Sequence, residues 1–321
     1  MSKKYIASFL TILVLILTLS SCGVGPAYAK SGFYFDTLIY VELTGPQSDE
    51  AVEKCMVMAS TYDKLFNKNN INSDVYKINH SEGKYVEVSE DTIELINIAL
   101  SWAYESDGLF DPTIGTVSSL WNFSSDPFAV PDKSSIYEAL SHVNYKNVLV
   151  EESKVKLTDS ETCIDLGAIA KGYVADKMKE ALKDYDIKYG FINLGGNVLT
   201  INSKPGDTPF NIGIKDPEIG GDGGNITNVK VNDKSVVTSG IYERYAICDE
   251  KVYHHILDTK TGYPIRNNLL SVSIIGPSSA TCDALSTILY IKGIEEGSEF
   301  LKNYPDYEAV FITDTKDIIY R

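Results

Sequence analysis

From Gly190 to Ile275, β-prone segments follow one another at short intervals with no helical stretch between them. They fall at Gly190–Leu194, Val198–Ile201, Phe210–Ile214, Asn228–Val231, Ser235–Thr238, Tyr245–Ile247 and Leu270–Ile275. Helical apolar spacing is confined to the flanks. It runs over Asp49–Phe66 through Ala51, Cys55, Met58, Ala59 and Tyr62, and over a stretch capped by Ser89 that passes Ile93, Ile96 and Leu100 to Tyr104. It returns around Ser134–Leu140, from Ala168 to Leu182, and in Cys282–Ile291 and Ile294–Leu301. Phe33–Leu43 opens the fold as a strand, strands are expected near Val148 and Val155, and Ala309–Ile312 closes it. Asn67–Asn79 is Asn-rich and expected to be a loop. This order has no regular βαβ beat, so the fold class is α+β, with mixed sheets and packed helices. No G-x-G-x-x-G joins a strand to a helix, which excludes a Rossmann dinucleotide fold.

The N-terminus is a processing signal before it is structure. Lys3 and Lys4 precede an apolar run from Tyr5 to Leu19, too short for a membrane span and ordered like a signal peptide. The run ends in Leu19-Ser20-Ser21-Cys22-Gly23, which resembles a lipobox, with Cys22 acylated as the mature N-terminus. The alternative is cleavage after Ala27-Tyr28-Ala29. The expected layout is a signal peptide over 1–21, a tether over 22–33 and a single domain over 34–321. The protein would then be extracytoplasmic and held on the bacterial membrane by lipid. Four further cysteines show no CxxC spacing and read as small hydrophobes.

A chain of 321 residues is enough for one large core or for two lobes. Its net charge of -15, without a basic run, excludes nucleic acid as a partner. The spare carboxylates could hold a cation.

Several segments can carry chemistry. Asp283 and Thr287 share a helix face four residues apart and offer two hard oxygens that suit Mg²⁺ or Ca²⁺. Spacing alone favours an ordinary helix, with Asp283 near its positive end and Thr287 bonded to its own backbone. Asp165-Leu-Gly-Ala-Ile-Ala-Lys-Gly172 places Asp165 just before a helix as a possible N-cap. Ala168, Gly172 and Ala175 form a small-residue stripe there that would admit another backbone or a flat ligand. Helix starts also suit phosphates. Ile192-Asn-Leu-Gly195-Gly196-Asn197 is a double-Gly turn, for a hairpin or a ligand. His254 and His255 should face opposite ways in a strand, so at most one lines a given pocket. Asp107–Gly115 followed by Leu120-Trp121 is either a packed loop or an aromatic rim for a planar ring.

Together, and in this order, these pieces resemble the ApbE family of FAD:protein FMN transferases. The matching segments are Phe110-Asp-Pro-Thr-Ile-Gly115, Asp165–Gly172, Ile192–Asn197, Thr238-Ser-Gly240, Tyr242-Glu-Arg244, His255-Ile-Leu-Asp258 with Thr261-Gly262 and Pro264, and Asp283-Ala-Leu-Ser-Thr287. The resemblance runs from about Phe35 to the C-terminus. It implies a flavin cleft between two lobes. It also implies Mg²⁺ held by the Ala168 carbonyl, Asp283 and Thr287, with Ser286 beside them. FAD contacts fall at Leu109, Phe110, Asp111, Asp165, Lys171 and Leu257. Phe35 and Asn69 stand where the family has flavin-contacting Met and Tyr, and Thr259 replaces a frequent Pro. His255 takes the proposed catalytic position, and His255 or Asp258 would accept the proton of an attacking hydroxyl. Asp165 and Gly195 would orient adenosine and pyrophosphate.

The implied reaction moves FMN from FAD onto a Thr or Ser of an exported redox protein and releases AMP. Asp283 would be catalytic through the metal. The same site could hydrolyse FAD to FMN and AMP. A non-enzymatic FAD-binding lipoprotein would need no metal pair.

Overall fold

The computed structural model describes residues 25–123, 125–218 and 223–321. Cys22 and the expected signal peptide lie outside them. Strand β1 (Ala27–Tyr34) pairs antiparallel with β2 (Thr37–Thr44), Ala27 opposite Thr44 and Tyr34 opposite Thr37. This corrects the tether expected over 22–33, since most of it is strand. The turn explains the error. Phe35 and Asp36 both take left-handed backbone, φ 53° and 57°. Two positive angles are what a two-residue hairpin turn requires, usually from Asn-Gly. Without that signal the hairpin reads as one strand behind a Gly- and Ala-containing lead.

Helix α1 (Ser48–Phe66) follows, then α2 (Asp74–Asn79) inside the expected loop. A short strand β3 (Val86–Glu87) precedes α3 (Glu90–Glu105), whose Ser89 cap accepts the Thr92 N–H. Next come α4 (Gly115–Ser118), α5 (Lys133–Ser141), β4 (Val148–Glu151), β5 (Lys154–Leu157) and α6 (Ala170–Ala181). The chain continues through β6 (Tyr189–Leu194), β7 (Asn197–Ile201), β8 (Phe210–Lys215), β9 (Asn225–Val231), β10 (Ser235–Gly240), β11 (Tyr245–Cys248) and β12 (Lys251–His254). It ends with β13 (Leu269–Gly276), α7 (Ser279–Leu301), β14 (Glu308–Thr313) and β15 (Ile318–Tyr320). The two helices expected at the end are one, broken at Gly293 with φ 76° and ψ -175°.

The backbone of the fold is an antiparallel sheet of order β1-β2-β6-β7-β10-β13-β14-β15. Strand alternation gives it two apolar faces. Val237 pairs with Ile274 and faces α1, α6 and α7 in the main core, as do Ile39, Val41 and Phe311. Val236 pairs with Ile275 and faces the other way, where the β8–β9 hairpin covers them with Phe210, Ile214 and Val231. A separate cluster of Val117, Trp121, Ile136, Ala139 and Leu257 forms the second lobe. The α+β class is therefore observed. Among the described residues no helix is long and apolar enough to cross a membrane. Cys55, Cys163, Cys248 and Cys282 are free thiols, with Cys55 and Cys282 buried.

Candidate active site

A cleft of about 490 Å³ opens where the second lobe meets α6, α7 and β10. Asn69, Leu109, Phe110, Asp111, Asp165, Ala168, Lys171, His255, Leu257, Asp283 and Thr287 all line it, from segments far apart in sequence. Four expected residues do not. Phe35 packs on the main core, and only its neighbour Asp36 reaches the cleft. Asp258 is a turn residue. Its Oδ1 accepts the Lys260 N–H at 2.8 Å and its Oδ2 the Thr261 hydroxyl at 3.0 Å, so it is not positioned as a proton acceptor in the cleft. Ser286 is fully buried, and its hydroxyl donates to the Asp283 carbonyl at 2.8 Å and pairs with the Ser239 hydroxyl at 2.8 Å. Ser286 is not among the residues that line the cleft. Gly195 is also outside. With Gly196 it forms the β6–β7 hairpin turn, packed on Thr37.

The cleft floor explains where the hard oxygens go. Helix α6 begins at Ala170, so Asp165 lies too far ahead to be its cap. The cap-like contact comes from another helix: Asp283 Oδ2 accepts the Gly172 N–H at 2.9 Å. Gly172 is in the first turn of α6, where an N–H has no carbonyl within the helix to bond, and Asp283 supplies the acceptor. The Ala168 carbonyl, just ahead of the helix, takes no backbone donor among the described residues, and Ala168 lines the cleft. The small-residue stripe thus admits another backbone, since a Cβ at Gly172 would lie 2.4 Å from the Ser279 carbonyl oxygen. Asp283 is 5% exposed. Burial raises its pKa, opposed by the nearby Lys171 charge and the Gly172 N–H. Thr287 is one turn on, with its hydroxyl 3.2 Å from the Ser239 hydroxyl.

The Ala168 carbonyl, Asp283 Oδ1 and the Thr287 hydroxyl are all hard oxygens, which suits Mg²⁺ and not a soft metal. Among the described residues no three His, Cys, Asp or Glu side chains gather. One carboxylate is a sparse set, as expected for Mg²⁺ that completes its coordination with substrate phosphate and water. The residues fit the ion.

The two histidines separate as strand alternation requires. His254 is buried, its Nε2 bonds the Ile265 carbonyl at 2.9 Å and its Nδ1 accepts the Ile256 N–H at 3.3 Å. Both nitrogens are used. His255 faces the cleft and its Nδ1 sits 3.3 Å from the Arg244 carbonyl. That bond assigns the proton to Nδ1 and leaves Nε2 as an acceptor. Desolvation first, and the Arg244 charge second, lower the His255 pKa to about 3, so the ring is neutral at pH 7.

Across the cleft, Asp165 Oδ1 accepts the Gly167 N–H at 2.9 Å. Its Oδ2 accepts the Ser118 hydroxyl at 3.0 Å and pairs with Lys68 Nζ at 2.9 Å. Burial pushes its pKa up, but the Lys68 charge and these bonds bring it below the ordinary carboxylate value. Asp111 spends its carboxylate on the loop, taking the Thr113 N–H at 2.8 Å and the Tyr145 N–H at 2.9 Å.

The sequence profile of the ApbE family matches residues 35–311. The chain belongs to the ApbE family. An FAD:protein FMN transferase of Klebsiella pneumoniae (strain 342) is 36% identical over 275 residues, covering 84% of this chain and 85% of that protein. One from Treponema pallidum (strain Nichols) is 32% identical over 335 aligned positions, covering 96% and 91%. The crystal structure of an ApbE protein from Thermotoga maritima superposes with a TM-score of 0.84 at 34% identity, covering 92% and 96% of the two chains. The flavin transferase ApbE of Vibrio cholerae shares the fold, with a TM-score of 0.80 at 22% identity.

In this ApbE chain some cleft residues carry no local signal in the sequence. Lys68 finds Asp165 and the hydroxyls of Ser118 and Ser119 only through the fold. Ser239 looks like any strand serine until β10 sets it beside Thr287. Glu243 and Arg244 sit together in the turn that follows β10 and line the cleft, where the Tyr242-Glu-Arg244 segment resembled the family without suggesting a role.

Proposed function

We propose that this chain transfers the FMN half of FAD to a Ser or Thr hydroxyl of another protein, using Mg²⁺ and releasing AMP. Support for FAD:protein FMN transfer comes from the relatives that bear this activity in their names and match over most of both lengths. The observation that carries the chemistry is the meeting of Ala168, whose carbonyl takes no backbone donor among the described residues, with Asp283 and Thr287 at one cleft. A cation bound to them would neutralise the pyrophosphate oxygens that repel an incoming nucleophile.

The chain's own residues supply the rest. Lys171 and Arg244 add positive charge beside the same floor, where a diphosphate would lie. The His255 Nε2 can accept the proton of the attacking hydroxyl. The negative charge of a bound diphosphate would raise the basicity of His255, opposing the effect of Arg244. Leu109, Phe110 and Trp121 give a planar ring an apolar wall. The acceptor is expected to be an exported or membrane redox subunit with a short Asp/Gly/Ala/Thr/Ser target motif.

Lipid anchoring at Cys22 belongs to the same proposal. It rests on the apolar run that stops at Leu19-Ser-Ser-Cys22. The rival cut after Ala29 would remove the start of β1, whose Ala27, Tyr28 and Ala29 pair with Thr44, Leu43 and Glu42. Pro26 is docked too, its carbonyl accepting the Gly45 N–H at 3.0 Å. Mass spectrometry of the mature N-terminus should find acylated Cys22, and an unmodified Lys30 would overturn it. For the activity, the protein is incubated with FAD, Mg²⁺ and a candidate exported flavoprotein. A denatured acceptor band that keeps flavin fluorescence supports transfer. A dark band beside released FMN and AMP would favour FAD hydrolysis.

A further inference from the structure

Two helices exchange carboxylates beneath the cleft. Asp283, on the second turn of α7, accepts the Gly172 N–H from the first turn of α6. Asp176, on the second turn of α6, returns the contact. It accepts the Ser278 hydroxyl at 2.8 Å, the Ser279 N–H at 2.8 Å and the Ala280 N–H at 2.9 Å. Each helix thus places an anion on the positive end of the other. The backbones touch at Gly172, where a Cβ would lie 2.4 Å from the Ser279 carbonyl oxygen and 2.7 Å from the Ala280 Cα. The Ser279 hydroxyl also donates to Asn197 Oδ1 at 2.7 Å, tying the junction to β7.

This junction joins the two halves of the oxygen set. Ala168 lies just ahead of α6, whereas Asp283 and Thr287 ride on α7. One bond would leave α7 free to rotate about it. Two bonds running in opposite senses fix both its rotation and its slide along α6. Asp176 does not line the cleft and touches nothing that binds there.

We propose that Asp176 is a positioning residue for the metal site. By holding the first turn of α7 on α6, it sets the separation between the Ala168 carbonyl and the oxygens of Asp283 and Thr287, and so the affinity for a divalent cation. A cap that only stabilised α7 would change melting temperature and leave affinity alone. The inference rests on the metal reading above.

The test titrates Mn²⁺ into FAD-loaded mature protein and reads the bound fraction from the loss of the free-ion EPR signal, with FAD alone subtracted. Circular dichroism and FAD binding in EDTA report the fold. Asp176→Asn keeps the shape but opposes an amide to three donors. It is expected to fold, bind FAD in EDTA as wild type does, and hold Mn²⁺ at least tenfold more weakly. Gly172→Ala should weaken Mn²⁺ similarly by another route, prising the helices apart, and it carries the test if Asp176→Asn does not fold. Folded variants with wild-type Mn²⁺ affinity would overturn the positioning role alone. A wild-type protein that takes up no Mn²⁺ would overturn the metal reading and this inference with it.

Discussion

The two walls of the cleft are held by different forces. The helix wall, from α6, α7 and β10, is polar, and each polar group there is held by another. Gly172 holds Asp283, Ser239 holds Thr287, and the Arg244 carbonyl holds His255. The aromatic wall is held by burial. Trp121 is 1% exposed, stacks on Phe123 and Tyr253 at centroid distances of 5.9 and 5.6 Å, and makes one hydrogen bond, Nε1–H to the Gly262 carbonyl at 2.8 Å. Changes in the first wall should therefore alter chemistry while sparing the fold. Changes in the second should act on stability and on binding of the ring, and leave the chemical step alone.

The largest contrast should come from Asp283→Ala. Without its carboxylate the oxygen set has no charge, and FMN transfer should fall about a thousandfold or more. Stability should change by only about 1 kcal/mol, because the lost Gly172 bond is offset by relief of a buried charge. AMP release across a Mg²⁺ titration measures the first effect and thermal unfolding the second. Near-normal transfer by folded Asp283→Ala would erase the distinction between the walls.

Trp121→Ala should show the opposite profile. Deleting a buried indole costs roughly 3–5 kcal/mol of stability. At a temperature where the variant is folded, the loss should appear mainly as weaker FAD binding. A variant with normal melting but no turnover would mean that Trp121 acts chemically. His255→Asn sharpens the helix wall further. Transfer should fall about a hundredfold at unchanged melting temperature, the usual scale for a lost proton acceptor. Equal activity would reassign that role.

Lys68→Met gives the smallest effect and a pH signature. Asp165 has a folded pKa below its ordinary value because Lys68 and its hydrogen bonds outweigh burial. Its contribution is therefore present at neutral pH and lost as pH falls through the folded pKa. In the variant, burial acts without the ammonium. Wild type should exceed Lys68→Met by about 1–2 kcal/mol at pH 7, with the gap closing as pH falls toward the folded pKa of Asp165. Urea unfolding at several pH values measures this. A gap that does not vary with pH would mean that Lys68 acts by packing alone.

The same contrast governs what could be read from the sequence. Long helices were legible because their apolar spacing repeats, and Ser89 announces the start of α3. Two hairpins were not, for one shared reason. Phe35-Asp36 and Asp249-Glu250 make their turns with left-handed backbone at residues that do not advertise it. So most of β1 passed for tether, and the β11–β12 hairpin was not recognised as one although a strand was expected at His254. In the site, Asp283 and Thr287 were legible as a pair because one helix presents both. Ser286 and Asp258 stand outside the cleft lining, held by local hydrogen bonds that motif spacing does not reveal. Lys68 was invisible because its partner Asp165 is distant in the chain and met only through the fold.

The helix wall is expected to hold a cation between the Ala168 carbonyl, Asp283 and Thr287. Anomalous diffraction from a crystal soaked in Mn²⁺ and FAD tests it most directly. The expected result is a manganese peak within bonding reach of the Ala168 carbonyl, Asp283 Oδ1 and the Thr287 hydroxyl, which disappears in Asp283→Ala. A peak instead on Asp165 or Glu243, or none on α7, would contradict the account.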